Sequence, residues 1–225
     1  MQIRGFRRAA ALAVVMAGMA VGSAAHGAII SASITGGTVF GTGSVIKLDP
    51  SNTPFSIGSD NFNTDNLYMF DEQQNIALTS NLAVILNGAM TTLAKGTIVR
   101  SHLIAFDPLI TKTVRAAISF DSNVIGVARS DSQLIASNYL GLSGVTYLTP
   151  AGFGLEPGLD FVTFSGPHSI AIRLSSASPS DMLRVFTIGT LSAVPEPTTW
   201  TMALAGLGTV GFAMRRRRRT RVSFA

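Results

Sequence analysis

Apolar and polar residues alternate with a period of two along much of the chain. From Thr113 to Phe120, Val114, Ala116, Ile118 and Phe120 share one face, while Thr113, Arg115, Ala117 and Ser119 share the other. That is the pattern of a strand with one face in a core and one in water. His168–Leu174 repeats it through Ile170, Ile172 and Leu174. Asp181–Thr190 does so less cleanly, with Met182, Arg184, Phe186 and Ile188 set against Asp181, Leu183, Val185 and Thr187. Further strand candidates are Ile29–Ile34, Ser44–Leu48, Leu67–Phe70, Leu82–Leu86, Thr97–Phe106, Val124–Ala128, Val145–Leu148 and Phe161–Phe164. Turn formers separate them: Gly36-Gly37, Asp49-Pro50, Asn87-Gly88, Asp107-Pro108, Glu156-Pro157-Gly158 and Ser178-Pro179. Many short strands with this punctuation predict an all-β fold, an antiparallel β-sandwich or jelly roll. One helix is expected over Ser132–Leu140, with Asp131 as its N-cap.

The two ends follow other rules. Residues 1–27 combine a basic start (Arg4, Arg7, Arg8), an apolar stretch from Ala9 to Val21 and small residues before Ala28, which together make a secretory signal peptide. At the other end, 17 residues without a charge run from Thr198 to Met214. As a helix they would be ~25 Å long, near the lower limit for crossing a bilayer. Arg215, Arg216, Arg217, Arg218 and Arg219 follow as a topology stop that keeps the C-terminus on the cytoplasmic side. The chain therefore divides into a leader (1–27), a β-rich ectodomain (28–193) and a tail (194–225) with an expected transmembrane helix at 198–214.

Charge belongs mainly to the ends. Of the 17 basic residues, three lie in the leader and six in the tail; the eight that remain face eleven acidic ones, so the ectodomain is about −3. The basic balance of the whole chain is a property of its targeting segments, which removes the case for a nucleic-acid partner. The absence of cysteine excludes a disulfide frame, thiolate chemistry and a cysteine zinc site.

Pro195, Glu196 and Pro197 stand immediately before the apolar run. Two prolines hold this segment extended, as a processing enzyme would bind it. The triplet, the apolar run and the arginines, in that order, resemble the PEP-CTERM sorting signal. The resemblance implies a Gram-negative host and export through its inner membrane. It further implies transient anchoring and processing by exosortase, a membrane peptidase that removes the tail and leaves the protein at the cell surface or outside the cell. Exopolysaccharide is a partner implied in the same way. The ectodomain also resembles a recurring group of PEP-CTERM ectodomains, through Asn63-Thr64-Asp65-Asn66-Leu67-Tyr68, Phe70-Asp71-Glu72, Ser101-His102, Phe106-Asp107-Pro108, Gly144–Leu148 and Gly154–Gly158. This implies one defined domain and no mechanism.

Candidate chemistry within the ectodomain is sparse. Asp60, Asn61, Asn63 and Asp65 offer the oxygen donors that calcium needs, although no EF-hand glycine or glutamate follows; an ordinary Asx-rich surface loop has the same composition. Ser44-Val45-Ile46-Lys47 and Ser59-Asp60-Asn61 imitate two signatures of penicillin-binding enzymes, but the third is missing and the first falls in a strand. His102 should share a strand face with Arg100, Ile104 and Phe106, and a hydrogen-bonded core histidine is the simple expectation. A hydrolase would need His102, His168 and a carboxylate to converge, with no G-x-S-x-G elbow to anchor them. Asp71 and Glu72 are neighbours and point to opposite faces of a strand. No catalytic residue is identified. The sequence is read as an exported, non-enzymatic envelope or matrix protein; the alternative is a lectin-like, calcium-dependent ligand-binding module.

Overall fold

The computed structural model describes residues 28–50, 54–58, 60–148, 153–177, 180–190 and 204–211. The leader, the Pro195-Glu196-Pro197 triplet, Arg215 to Arg219 and most of the expected span 198–214 lie outside them. Residues 204–211 are helical with exposed side chains. Among the described residues no helix is long and apolar enough to cross a membrane.

The strands are β1 (Ile29–Gly37), β2 (Val45–Lys47), β3 (Phe55–Ile57), β4 (Leu67–Asp71), β5 (Ile76–Ala77), β6 (Leu82–Leu86) and β7 (Ala89–Leu93). They continue as β8 (Ile98–Phe106), β9 (Lys112–Phe120), β10 (Val124–Ala128), β11 (Val145–Tyr147), β12 (Phe161–Gly166), β13 (Ser169–Ser176) and β14 (Asp181–Ile188). A smaller, wholly antiparallel sheet has the order β1-β9-β13-β12. A larger one has the order β2-β4-β8-β14-β10-β6-β7, with β5 also pairing β8. The result is mostly β with antiparallel sheets, as a β-sandwich requires. Two pairings depart from the antiparallel expectation: β2 runs parallel to β4, and β3 runs parallel to β11 as a separate two-stranded sheet.

Two apolar clusters lie against the larger sheet. Leu67, Met69, Ile104, Phe106, Leu183 and Val185 face the smaller sheet and meet Val114, Ile118, Ile170 and Ile172. Phe70, Leu103, Ala105, Met182 and Phe186 point the other way and pack with Ile57, Leu134, Leu140, Val145 and Phe153. The central strands are thus buried on both faces, which explains why β8 and β14 do not alternate as cleanly as β9.

The helix differs from its expected form. α1 spans Asp131–Ala136 and its N-cap is Ser130, not Asp131. Ser130 Oγ accepts the Gln133 N–H at 3.4 Å, while Gln133 Oε1 accepts the Ser130 N–H at 3.2 Å. This capping box is available only to the residue three positions before the glutamine. Asp131 instead accepts the Gly154 N–H at 2.7 Å. Ser137 closes the helix by donating its hydroxyl to the carbonyls of Gln133 and Leu134, and a 3-10 turn follows at Asn138–Leu140. β3, β5 and β7 were not expected; β7 pairs β6 through a two-residue turn in which Asn87 (φ 51°) and Gly88 (φ 81°) both take left-handed backbone.

The face assignment of β9 is open to a direct check. Ile118→Ala, in the cluster between the sheets, should cost about 2–5 kcal/mol in equilibrium denaturation. Ala117→Ser, one residue along and exposed, should stay within about 0.5 kcal/mol of the parent.

Candidate functional site

Strand alternation separates the two neighbouring carboxylates Asp71 and Glu72. Asp71 lies on the face that looks towards the smaller sheet, opposite His102 in register. Its Oδ1 meets His102 Nδ1 at 2.7 Å and accepts the Ile29 N–H at 3.1 Å; its Oδ2 pairs Lys47 Nζ at 2.8 Å. Burial works to raise this carboxyl, but the hydrogen bonds from His102 and Lys47 prevail and hold it below the ordinary carboxylate value. His102 is fully buried, and its Nε2 meets Thr187 Oγ1 at 3.1 Å. Both ring nitrogens are occupied. His168 is exposed between β12 and β13.

Glu72 turns to the opposite face and meets Arg184. Arg184 Nε donates to Oε2 at 2.6 Å and Nη2 to Oε1 at 2.9 Å, while Ser101 Oγ donates to Oε2 at 2.6 Å and the Tyr147 hydroxyl to Oε1 at 2.8 Å. Arg184 Nη1 reaches the Leu134 carbonyl at 3.1 Å and Ser137 Oγ at 2.6 Å. Burial disfavours the guanidinium charge, yet Glu72 outweighs it and keeps the arginine above its ordinary value. Burial, then the Glu72 charge, pushes the Tyr147 phenol upward. Above this network a pocket of about 150 Å³ is walled by Leu103, Leu134, Phe153 and Met182, with Tyr147 and Arg184 at its polar side.

Removing one partner of this pair leaves a charge stranded in the interior. Glu72→Gln should therefore cost roughly 3–5 kcal/mol. Glu72→Leu combined with Arg184→Met should cost less than the sum of the single changes, as a urea-denaturation cycle would reveal.

The donor-rich loop at 60–66 is wrapped around a residue the sequence presented only as a turn former. Buried Asp107 accepts the N–H groups of Asn61 (2.8 Å) and Phe62 (2.7 Å) on Oδ2, and its carbonyl accepts the Thr64 N–H. Asn61 donates its side-chain amide to the Ser56 carbonyl, and Asn63 donates to the Asp60 carbonyl at 3.2 Å. Asp65 Oδ2 accepts the Thr42 hydroxyl at 3.1 Å and lies 3.5 Å from Lys112 Nζ. Asp60 and Asn63 adopt left-handed backbone, φ 51° and 53°. Phe62 stacks on Tyr68 at 3.8 Å between ring centroids.

A different set of carboxylates comes together elsewhere. Glu156, Asp160 and Asp181 each offer an oxygen within 4.8 Å of the other two. Glu156 and Asp160 flank the Pro157-Gly158 turn, where Gly158 takes φ 91°, before β12 of the smaller sheet; Asp181 opens β14 of the larger one. Asp160 is held in place by the N–H of Ser175 (2.6 Å) on Oδ1 and that of Glu156 (2.8 Å) on Oδ2. Burial, then the charges of Asp160 and Glu156, push the Asp181 carboxyl up to about 8. Burial and Asp160 raise Glu156 as well. The turn is evident in the sequence and the cluster is not, because Asp181 arrives from another sheet.

A carboxyl that stays protonated in the folded chain up to about pH 8, against an ordinary 3.8, binds more protons folded than unfolded across that interval. Stability then falls as pH rises through it and levels off above. In the presence of chelator, the denaturation midpoint should drop across this window, and Asp181→Asn should flatten most of the slope. Asp71 acts in the opposite sense: its contribution is present above the ordinary carboxylate value and is lost as pH falls through its lowered one.

Comparison with known proteins adds information at the tail. No curated protein and no solved structure matches the chain. The family model of the PEP-CTERM protein-sorting motif matches residues 193–218, from just before the Pro-Glu-Pro triplet into the arginines. The chain carries a PEP-CTERM sorting motif and is thereby an exported protein, sorted by exosortase towards the cell surface.

Proposed function

We propose that this is a non-enzymatic component of the envelope or extracellular matrix of a Gram-negative bacterium, held briefly in the inner membrane by its tail and associated with exopolysaccharide after processing. The observation that carries the reading is the match over residues 193–218, which contains Pro195, Glu196 and Pro197 directly before the apolar run. The ectodomain supports a structural role through the state of its polar groups. His102 is buried and bonded at both nitrogens, and Glu72 and Arg184 are spent on each other and on Ser101, Tyr147 and Ser137. A base needs access to the proton it takes.

A second reading, a lectin-like ligand-binding module, is favoured by the pocket of about 150 Å³ beside Tyr147, whose ring forms part of the wall. Calcium dependence in this reading would draw on Asp60, Asn61, Asn63 and Asp65.

The test is made in the producing cells. The parent chain should shorten on export and leave the membrane fraction, whereas replacing Pro195, Glu196 and Pro197 together by alanine should leave it full-length and membrane-bound. Normal processing of that variant would overturn the sorting reading. The released protein should then co-sediment with the cells' own exopolysaccharide. Retention that vanishes in chelator would transfer support to the lectin-like reading, and no retention at all would remove exopolysaccharide as the partner.

A further inference from the structure

We propose that Glu156, Asp160 and Asp181 form a divalent-cation site, of the calcium class, at the seam between the two sheets. The inference does not rest on the sorting reading. Three carboxylates lie with ligand oxygens inside 4.8 Å of one another, two of them on buried residues. Two oxygens bound to one calcium ion, at about 2.4 Å each, stand no more than ~4.8 Å apart, so the separations in this cluster are compatible with a shared ion. The donor set is all oxygen, with neither histidine nor cysteine, which suits hard cations.

Two further observations point to a ligand. Asp181 is only 2 % exposed, it is turned into the cluster, and its Oδ2 is buried without a hydrogen-bond donor. A buried carboxylate oxygen without a partner costs free energy unless something positive comes near it. Secondly, none of the three carboxylates forms an ion pair among the described residues, whereas Asp71 meets Lys47 and Glu72 meets Arg184. Asp131, the other carboxylate whose charge is felt at Glu156, adds to the negative field.

The arrangement is also pre-positioned. Asp160 accepts two backbone N–H groups, from β13 and from its own turn, which fixes its carboxylate before any ion arrives. Glu156 is exposed and gives the ion a way in. Because Asp160 belongs to the entry of β12 and Asp181 to the start of β14, a bound cation would clamp one sheet to the other.

The experiment uses the full chain in detergent near neutral pH, unfolded by heat in chelator and in millimolar calcium, with equilibrium dialysis of radiocalcium beside it. The midpoint should rise by roughly 5 °C or more in calcium, because a ligand bound only by the folded state stabilises by mass action. Dialysis should give one ion per chain. Asp181→Asn and Glu156→Gln should each abolish most of the rise; the second is at an exposed position, so its folding is not at risk. A midpoint that ignores calcium and responds only to pH would mean that the cluster holds a proton instead, and the proposal fails. A full rise retained in both variants would place calcium elsewhere and overturn it equally.

Discussion

The larger sheet is buried on both faces, and this constraint governs where every polar group on its central strands can go. β4, β8 and β14 have apolar clusters above and below, so a side chain on either face leaves water. Burying an unpaired polar or charged group costs far more than a hydrogen bond returns. Each such residue must therefore find its partner on its own face. Asp71, His102 and Thr187 do so towards the smaller sheet; Glu72, Ser101 and Arg184 do so away from it. A slip of one residue between β4, β8 and β14 would send each group to the wrong layer. The polar networks thus favour one register over its neighbours, which a pair such as Glu72–Arg184 does better than it raises net stability.

How far the sequence could be read follows from the same geometry. β9 was legible because its alternate residues divide between core and solvent. β14 was blurred because Leu183 and Val185 enter one core while Met182 and Phe186 enter another. The opposite facing of Asp71 and Glu72 followed from the period of two alone. What each would meet did not: Glu72 and Arg184 are 112 positions apart. Only Arg184 itself, a charge inside the run Met182–Phe186, hinted at a buried partner. β7 escaped notice because its residues are largely exposed, although Asn87-Gly88 is a strong hairpin signal. Asp107 was read as half of a turn with Pro108, and no local pattern says that its carboxylate gathers the 60–66 loop.

An exported domain with no cysteine must hold its layers together without covalent ties. Apolar packing between the sheets does most of this, and the polar contacts at the seams decide alignment. At the Asp71 level the seam is complete. Asp71 accepts the Ile29 N–H of the smaller sheet, and Lys47 donates to the Ile29 carbonyl while pairing Asp71. The charges there are of opposite sign, and the N–H and carbonyl of Ile29 are both satisfied.

The seam near Asp181 also joins side chains of the two sheets, but with charges of one sign. Asp181 stands level with Phe106 and Leu67, four residues along β4 from Asp71, or about 13 Å at the usual rise of a strand. Both sheets again contribute, through Asp160 and Asp181, but the charges that meet are alike. Apolar packing over the intervening strands keeps them together, so the repulsion cannot relax by moving the sheets apart without opening the core. Only a proton or a cation can relieve it in place. A proton neutralises one carboxylate and leaves two. A divalent cation answers all three and supplies for this seam what Lys47 supplies for the other. The chain's sorting tail delivers the domain outside the cytoplasm, where such ions reach an exposed Glu156 directly.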